Sequence, residues 1–163
     1  MLSQEMNQLL NRLIQLELYS AYLYLAIANY FHRLNLTGMA EWLRQQHEEE
    51  REHAQRLISY VNDLNGVVEI RGIPEMPVNF GSPLQAWQQV LEHERYVTQS
   101  YQEAYGLALR AQDYQTAAQF DWFLREQVDE IAQSTRIVGR LQLSQGNPAA
   151  LLLLDQEMGQ RAG

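Results

Sequence analysis

Apolar residues recur along this chain at steps of three and four, the period of helices that bury one face. Met6, Leu9, Leu10, Leu13, Leu16, Ser20, Leu23, Ile27 and Leu34 form the first stripe, with Ser3 placed to cap it and residues 35–38 breaking it. A second stripe runs through Met39, Trp42, Leu43, Gln46, Glu50, His53, Leu57, Tyr60 and Leu64, and stops at the turn signal Asn65-Gly66. Residues 66–83 then carry Gly66, Gly72, Pro74, Pro77, Gly81 and Pro83, with a short extended stretch from Val67 to Ile70, which predicts a long crossover. A third helix is predicted from about Leu84 through Trp87, Val90, Leu91, Val97, Tyr101, Ala104 and Ala108. A fourth runs from about Thr116 through Phe120, Phe123, Leu124, Ile131, Val138 and Leu141, and only residues 111–115 separate the two. The pattern predicts an all-α four-helix bundle. Its short connections make antiparallel pairs, and the crossover between the second and third helices lets those two run parallel.

The carboxyl end adds a fifth, shorter helix. Gly146 suits a helix terminus, and Asn147 and Pro148 suit the cap and first turn of a segment through Ala149, Leu151 to Leu154 and Glu157. Four consecutive leucines cannot all face one bundle core, so this segment fits either an interface between subunits or a fold-back onto its own subunit. The predicted organisation is one domain, with residues 1–145 as the bundle and 146–163 as the short helix and tail.

Polar residues interrupt the apolar stripes in a repeating way. Glu17 is followed 33 residues on by Glu50 and 36 on by His53, while Glu94 is followed at the same separations by Gln127 and Glu130. The two sets are offset by 77 residues, and Tyr24 and Tyr101 each lie seven residues after the leading glutamate. Counted from predicted turns near residues 36 and 113, each leading glutamate is roughly 28 Å along its helix and its partners roughly 21 to 25 Å along theirs, at about 1.5 Å per residue. All four sets can therefore meet. Carboxylates gathered in a bundle core repel one another and lose hydration unless a cation compensates them. Duplicated acids at helical spacing are the pattern of a two-metal site.

Composition narrows the choice. A chain of 163 residues with 46% apolar content, four prolines and nine glycines suits a single folded domain. A net charge of −8 disfavours nucleic acid and favours cations. With no cysteine, disulfides and thiolate metal sites are excluded. No signal peptide is visible at the amino end and no apolar run reaches the length of a membrane span, so a cytoplasmic protein is expected.

The segment HEEEREHAQRL at residues 47–57 resembles the signature of the ferritin family, and the similarity extends over the chain through Glu17, Tyr24, Glu94 and Glu126-Gln127-Val128. The resemblance is to prokaryotic non-haem ferritins and implies a ferritin-like bundle. It implies one iron held by Glu17, Glu50 and His53 and a second by Glu50 and Glu94 with Gln127 or Glu130 nearby, so that Glu50 bridges. Hard carboxylates with a single imidazole suit iron or manganese.

The resemblance further implies a ferroxidase, in which Fe(II) is oxidised to Fe(III) by O2 or H2O2 and stored as ferric mineral in a hollow shell of 24 subunits lined at one axis by the fifth helix. Tyr24 would lie near the irons and supply an electron, although its bland alternative is a core aromatic. Haem is not expected: Gln127-Val128-Asp129-Glu130 stands where bacterioferritins carry a second Glu-x-x-His, and Arg51 and Glu52 offer no methionine between Glu50 and His53. Glu49, Glu126 and Asp129 fit either a third iron site or a solvated acidic face. Ala117 and Phe120 stand where the family's acidic channel is expected, leaving Asp121 or Asp113 as substitutes, and His32, His47 and His93 are expected to be exposed. A di-iron or di-manganese oxygenase and an inert bundle are the competing classes.

Overall fold

The computed structural model describes residues 1–161; the last two residues of the predicted tail, 162 and 163, lie outside the described residues. Among the described residues there are five helices and no strand: α1 (Gln4–Arg33), α2 (Thr37–Asp63), α3 (Pro83–Arg110), α4 (Tyr114–Ser144) and α5 (Pro148–Met158). No described helix is long and apolar enough to cross a membrane. The chain divides into two compact units, residues 1–86 with the chain from Arg140 onward, and residues 87–139.

In the first unit α1 and α2 form a helical hairpin whose buried faces carry Met6, Leu10, Ile14, Tyr24, Ile27 and Phe31 against Met39, Leu43, Leu57 and Val61. Each such side chain withdrawn from water contributes about 1.5–3 kcal/mol of transfer free energy. Ser3 caps α1 as the sequence predicts, its hydroxyl accepting from the Met6 amide at 3.2 Å. Leu34 is not part of the buried stripe, because it is the C-cap of α1 and is exposed.

Residues 66–82 have no helix or strand, and polar side chains of α1 satisfy their backbone instead. Asn7 Oδ1 accepts from the Val67 amide at 2.8 Å, and Asn11 Oδ1 accepts from the Glu69 amide at 2.7 Å. Farther along, Gln15 donates to the Gly72 carbonyl at 2.8 Å, and Arg33 and Tyr30 donate to the carbonyls of Val78 and Gly81. From residue 7 to residue 33 the crossover thus tracks α1 for about 40 Å at roughly 1.5 Å per residue, which is the predicted traverse of a bundle's length.

The start of α2 departs from the expected break at 35–38. Gly38 is inside the helix, and the N-cap position, Leu36, has no side-chain acceptor to offer. The cap comes from α5: Asp155 accepts from the amides of Met39 at 2.7 Å and Gly38 at 3.2 Å. A carboxylate on the exposed donors of a helix start is favoured by hydrogen bonding and by the helix dipole. The approach is so close that a Cβ on Gly38 would stand 1.8 Å from the Asp155 carbonyl oxygen. At the far end Arg161 lies over the Trp42 ring at 4.0 Å, donates to the Trp42 carbonyl at 3.1 Å and pairs with Glu49 at 2.7 Å. Along α5 itself, capped by Asn147 as predicted, Leu154 is buried whereas Leu152 and Leu153 are each 58% exposed. The tail therefore folds back on its own subunit and still presents an apolar face.

In the second unit α3 and α4 are joined by residues 111–113, and Asp113 caps α4 by accepting from the Thr116 amide at 3.1 Å. Tyr101 stacks on Phe123 at 4.7 Å with an interplanar angle of 6°, and both rings are buried, so Tyr101 is a packing residue. Ala117 and Phe120 are buried, and Asp121 is paired with Arg125 at 2.8 Å.

Replacing Asp155 by Ala is expected to cost about 1–2 kcal/mol of folding stability, the usual penalty for losing a good helix cap. Gly38→Ala is expected to cost about 1–3 kcal/mol by overpacking, despite the better helix propensity of alanine. Chemical denaturation of each variant checks both, and a stabilised Gly38→Ala protein would overturn the close docking of α5.

Candidate metal centre

Helical periodicity turns Glu17 on α1 and Glu50 and His53 on α2 toward the shared interior of the hairpin, where they are 0%, 2% and 5% exposed. His53 Nδ1 lies 3.2 Å from Glu50 Oε2 and 3.6 Å from Glu17 Oε2. One oxygen from each carboxylate and a ring nitrogen thus lie within 4.8 Å of one another, close enough to share an ion. On the other side of Glu50, Gln46 donates an N–H to Oε1 at 2.8 Å.

The protons in this trio reflect the same confinement. Burial pushes Glu50 up to about 8, the charge of Glu17 adds to the rise, and the hydrogen bond from His53 opposes it. For His53, burial alone would lower the imidazole, but hydrogen bonds to Glu17 and Glu50 and their charges together override it and raise it to about 11. The trio holds protons because a buried pair of carboxylates needs positive charge nearby. A divalent cation supplies that charge more fully, and the oxygen-rich donor set with one imidazole suits iron or manganese.

The second predicted set lies in the second unit. Glu94, Gln127 and Glu130 are all buried. Gln127 Nε2 donates to Glu94 Oε2 at 2.9 Å, to the Glu94 carbonyl at 3.2 Å and to Thr98 Oγ1 at 3.1 Å. In this arrangement the amide orients Glu94. Glu130 follows one turn later on α4.

Other predicted residues divide. Tyr24 is fully buried two turns beyond Glu17. Glu49, expected in a third site or on a solvated face, is half-buried and matched by the Arg161 guanidinium, while Glu126 is half-buried and Asp129 exposed. His32 is exposed as expected, but His47 and His93 are not. His47 is half-buried with Nδ1 2.7 Å from the Ala21 carbonyl, and His93 is half-buried and lowered to about 4 by burial. Sequence reasoning placed Gln46 in the buried stripe without a polar task and gave none to Asp155 or Arg161. The spacing of Gln46 and Glu50, one turn apart on one face, was the available signal for the first.

The sign of the pH dependence follows from these shifts. Between 4.5 and about 8 the folded protein keeps a Glu50 proton that the unfolded chain has released, and between 6.5 and about 11 the same holds for His53. His93, lowered to about 4 by burial, works the other way below 6.5, where the unfolded chain binds a proton that the folded state lacks, so the net fall of stability with rising pH runs from 6.5 to about 11. Calorimetry of the metal-free protein is expected to show a melting temperature that declines as pH rises above 6.5. Glu50→Gln should flatten the decline between 6.5 and 8. Manganese(II) should stabilise more strongly at the alkaline end, because ligation requires the protons to leave.

The geometry agrees with relationships visible along the whole chain. Residues 7–144 match the family model of the ferritin-like domain. A bacterial non-heme ferritin of Bacteroides fragilis (strain 638R) is 32% identical over 162 residues, covering 99% of this chain and 100% of the relative. The bacterial non-heme ferritin of Campylobacter jejuni is 33% identical over 156 residues, covering 96% and 93%. Among solved structures, an open pore ferritin from the hyperthermophilic archaeon Archaeoglobus fulgidus is similar with a TM-score of 0.97 at 38% identity, covering 99% of this chain and 100% of that one. The chain is a ferritin-like four-helix bundle with a short carboxyl-terminal helix, and it belongs to the ferritin family as a prokaryotic non-haem member.

Proposed function

We propose that this protein is an iron-storage ferritin that oxidises Fe(II) to Fe(III) within each subunit and keeps the ferric product as mineral inside a homo-oligomeric shell. The observation that carries the reading is the buried meeting of Glu17, Glu50 and His53, with one imidazole nitrogen 3.2 Å and 3.6 Å from two carboxylates. Iron enters as substrate. Glu17, Glu50 and His53 hold one ferrous ion, and Glu94 and Glu130 serve as ligands of a second. Gln127 orients Glu94 through its amide. Each ferrous ion gives up one electron, so a pair supplies the two electrons that take O2 to H2O2 or H2O2 to water. The protein's part is electrostatic: anionic oxygens stabilise the higher charge of the product ions and release protons as the cations arrive. Where only one ferrous ion is bound, Tyr24, fully buried two turns from Glu17 on α1, supplies the second electron and is restored by the next ferrous ion.

A shell of 24 subunits accounts for the apolar face of α5, since Leu152 and Leu153 need cover in the assembled state. Residues 1–145 act as the catalytic bundle and residues from 146 onward as the assembly element of the same domain. Glu49, Glu126 and Asp129 remain the candidate ligands of a third iron, and an ion taken up at Glu49 must displace Arg161. Haem has no part in this reading, and the cytoplasm is the proposed location, with neither nucleic acid nor membrane as partner.

The test is anaerobic Fe(II) titration followed by stopped-flow exposure to oxygen, on protein first sized by gel filtration. Two irons bound per subunit, oxidation on mixing and a large hollow assembly are expected. Glu50→Ala should slow oxidation by at least about 100-fold, beyond the loss typical of outer-shell partners. Oxidation by that variant at the normal rate would remove Glu50 from the centre, and a small compact species would end the storage role.

A further inference from the structure

Glu50 is bracketed on its own helix. Gln46, one turn before it and 1% exposed, donates to Oε1 at 2.8 Å, and His53, nearly one turn after it, has Nδ1 3.2 Å from Oε2. These two contacts differ in what happens when a cation arrives. Nδ1 faces both carboxylates, and to ligate an ion it must lose its proton and give its lone pair to the metal, which ends its hydrogen bond to Glu50. The Gln46 amide does not titrate and is not required by the metal, so its N–H continues to hold Oε1 while Oε2 turns to the ion.

We infer that Gln46 is a positioning residue of the metal centre, fixing the Glu50 carboxylate in the orientation that metal ligation needs. The inference rests on the reading of Glu50 as an iron ligand. An amide suits the task because it orients an anion without adding charge. A lysine or arginine at this position would compete with the incoming cation, and a further carboxylate would add another buried acid to a site that already holds protons. The hydrogen bond is shielded from water, so little competes with it. The second unit solves the same problem with Gln127, whose amide donates to Glu94 Oε2 at 2.9 Å. These two glutamines are not related by the 77-residue repeat, since the position equivalent to Gln46 is Phe123. Two buried carboxylates have thus acquired amide donors from unrelated positions, which points to a requirement of the carboxylates rather than to inheritance of one repeat.

The experiment is anaerobic cobalt(II) titration of assembled wild-type, Gln46→Leu and Gln46→Met proteins, followed through the visible absorption of the bound ion. Both substitutions keep a side chain of similar size and remove the donor. Cobalt(II) affinity is expected to fall by about 10–100-fold, the usual effect of losing an outer-shell partner. The visible spectrum should also change shape as Glu50 reorients, while helix content and subunit assembly stay as in the wild type. A role confined to packing would leave that spectrum unchanged. Wild-type affinity and spectrum in a folded variant would overturn the inference and leave Glu50 as a ligand. Failure of the wild-type protein to bind cobalt(II) would instead overturn the metal reading, and this inference with it. If Gln46→Leu does not assemble, Gln46→Met, whose unbranched chain follows the path of glutamine, carries the comparison.

Discussion

Two acids, Glu17 and Glu50, stand where an α-helical hairpin would ordinarily bury leucine, and every other feature of the centre answers the cost of putting them there. Removing a carboxylate from water is unfavourable by several kcal/mol, and a second one nearby adds repulsion. The metal-free protein answers with protons, one on the Glu50 carboxyl and one on the imidazole of His53. A cation of higher charge answers better. Proton release and metal uptake are thus two sides of a single balance, and Gln46 directs it without entering it, because an amide contributes geometry and no charge.

That balance needs a rigid frame, since a carboxylate that swings away finds water instead of metal. The crossover contributes by tracking α1 through Asn7, Asn11, Gln15, Tyr30 and Arg33, so that the helix bearing Glu17 is held along its length by polar contacts on its outer side. On α2 the frame comes from α5, with Asp155 at its first turn and Arg161 on Trp42 and Glu49 farther along. The Arg161 pairing also bears on the acids near the centre. Glu49 already has a cation, and any ion seeking it must compete with a guanidinium stacked on an indole.

Much of this was legible in the residues before any coordinates. The helical period of the apolar positions located four helices and the Asn147-Pro148 start signal the fifth, and the local caps Ser3 and Asn147 were readable because their acceptors serve amides three residues away. Glu17, Glu50, His53, Glu94, Gln127 and Glu130 stood out because polar groups broke an apolar stripe at repeated separations, and all six are buried. What escaped was non-local. Gly38 reads as a turn residue, yet its lack of a side chain is needed by a helix 117 residues away in sequence. His47 and His93 read as surface residues, because a histidine beside acids carries no mark of which way its ring faces. Gln127 read as a ligand because it occupies a ligand's place in the repeat, and only the direction of its amide revealed its hold on Glu94.

The dependence of α2 on Asp155 makes the two ends of this chain unequal as points of modification. At the amino end α1 closes its own first turn through Ser3, so an extension there leaves the capping group in place. At the carboxyl end, trimming ahead of Asp155 would expose the donors of Gly38 and Met39 and uncover the glycine surface on which α5 rests, loosening the very segment that carries Glu50 and His53. A fusion partner or display peptide joined on that side must leave Asp155 and Arg161 in place with their contacts to α2.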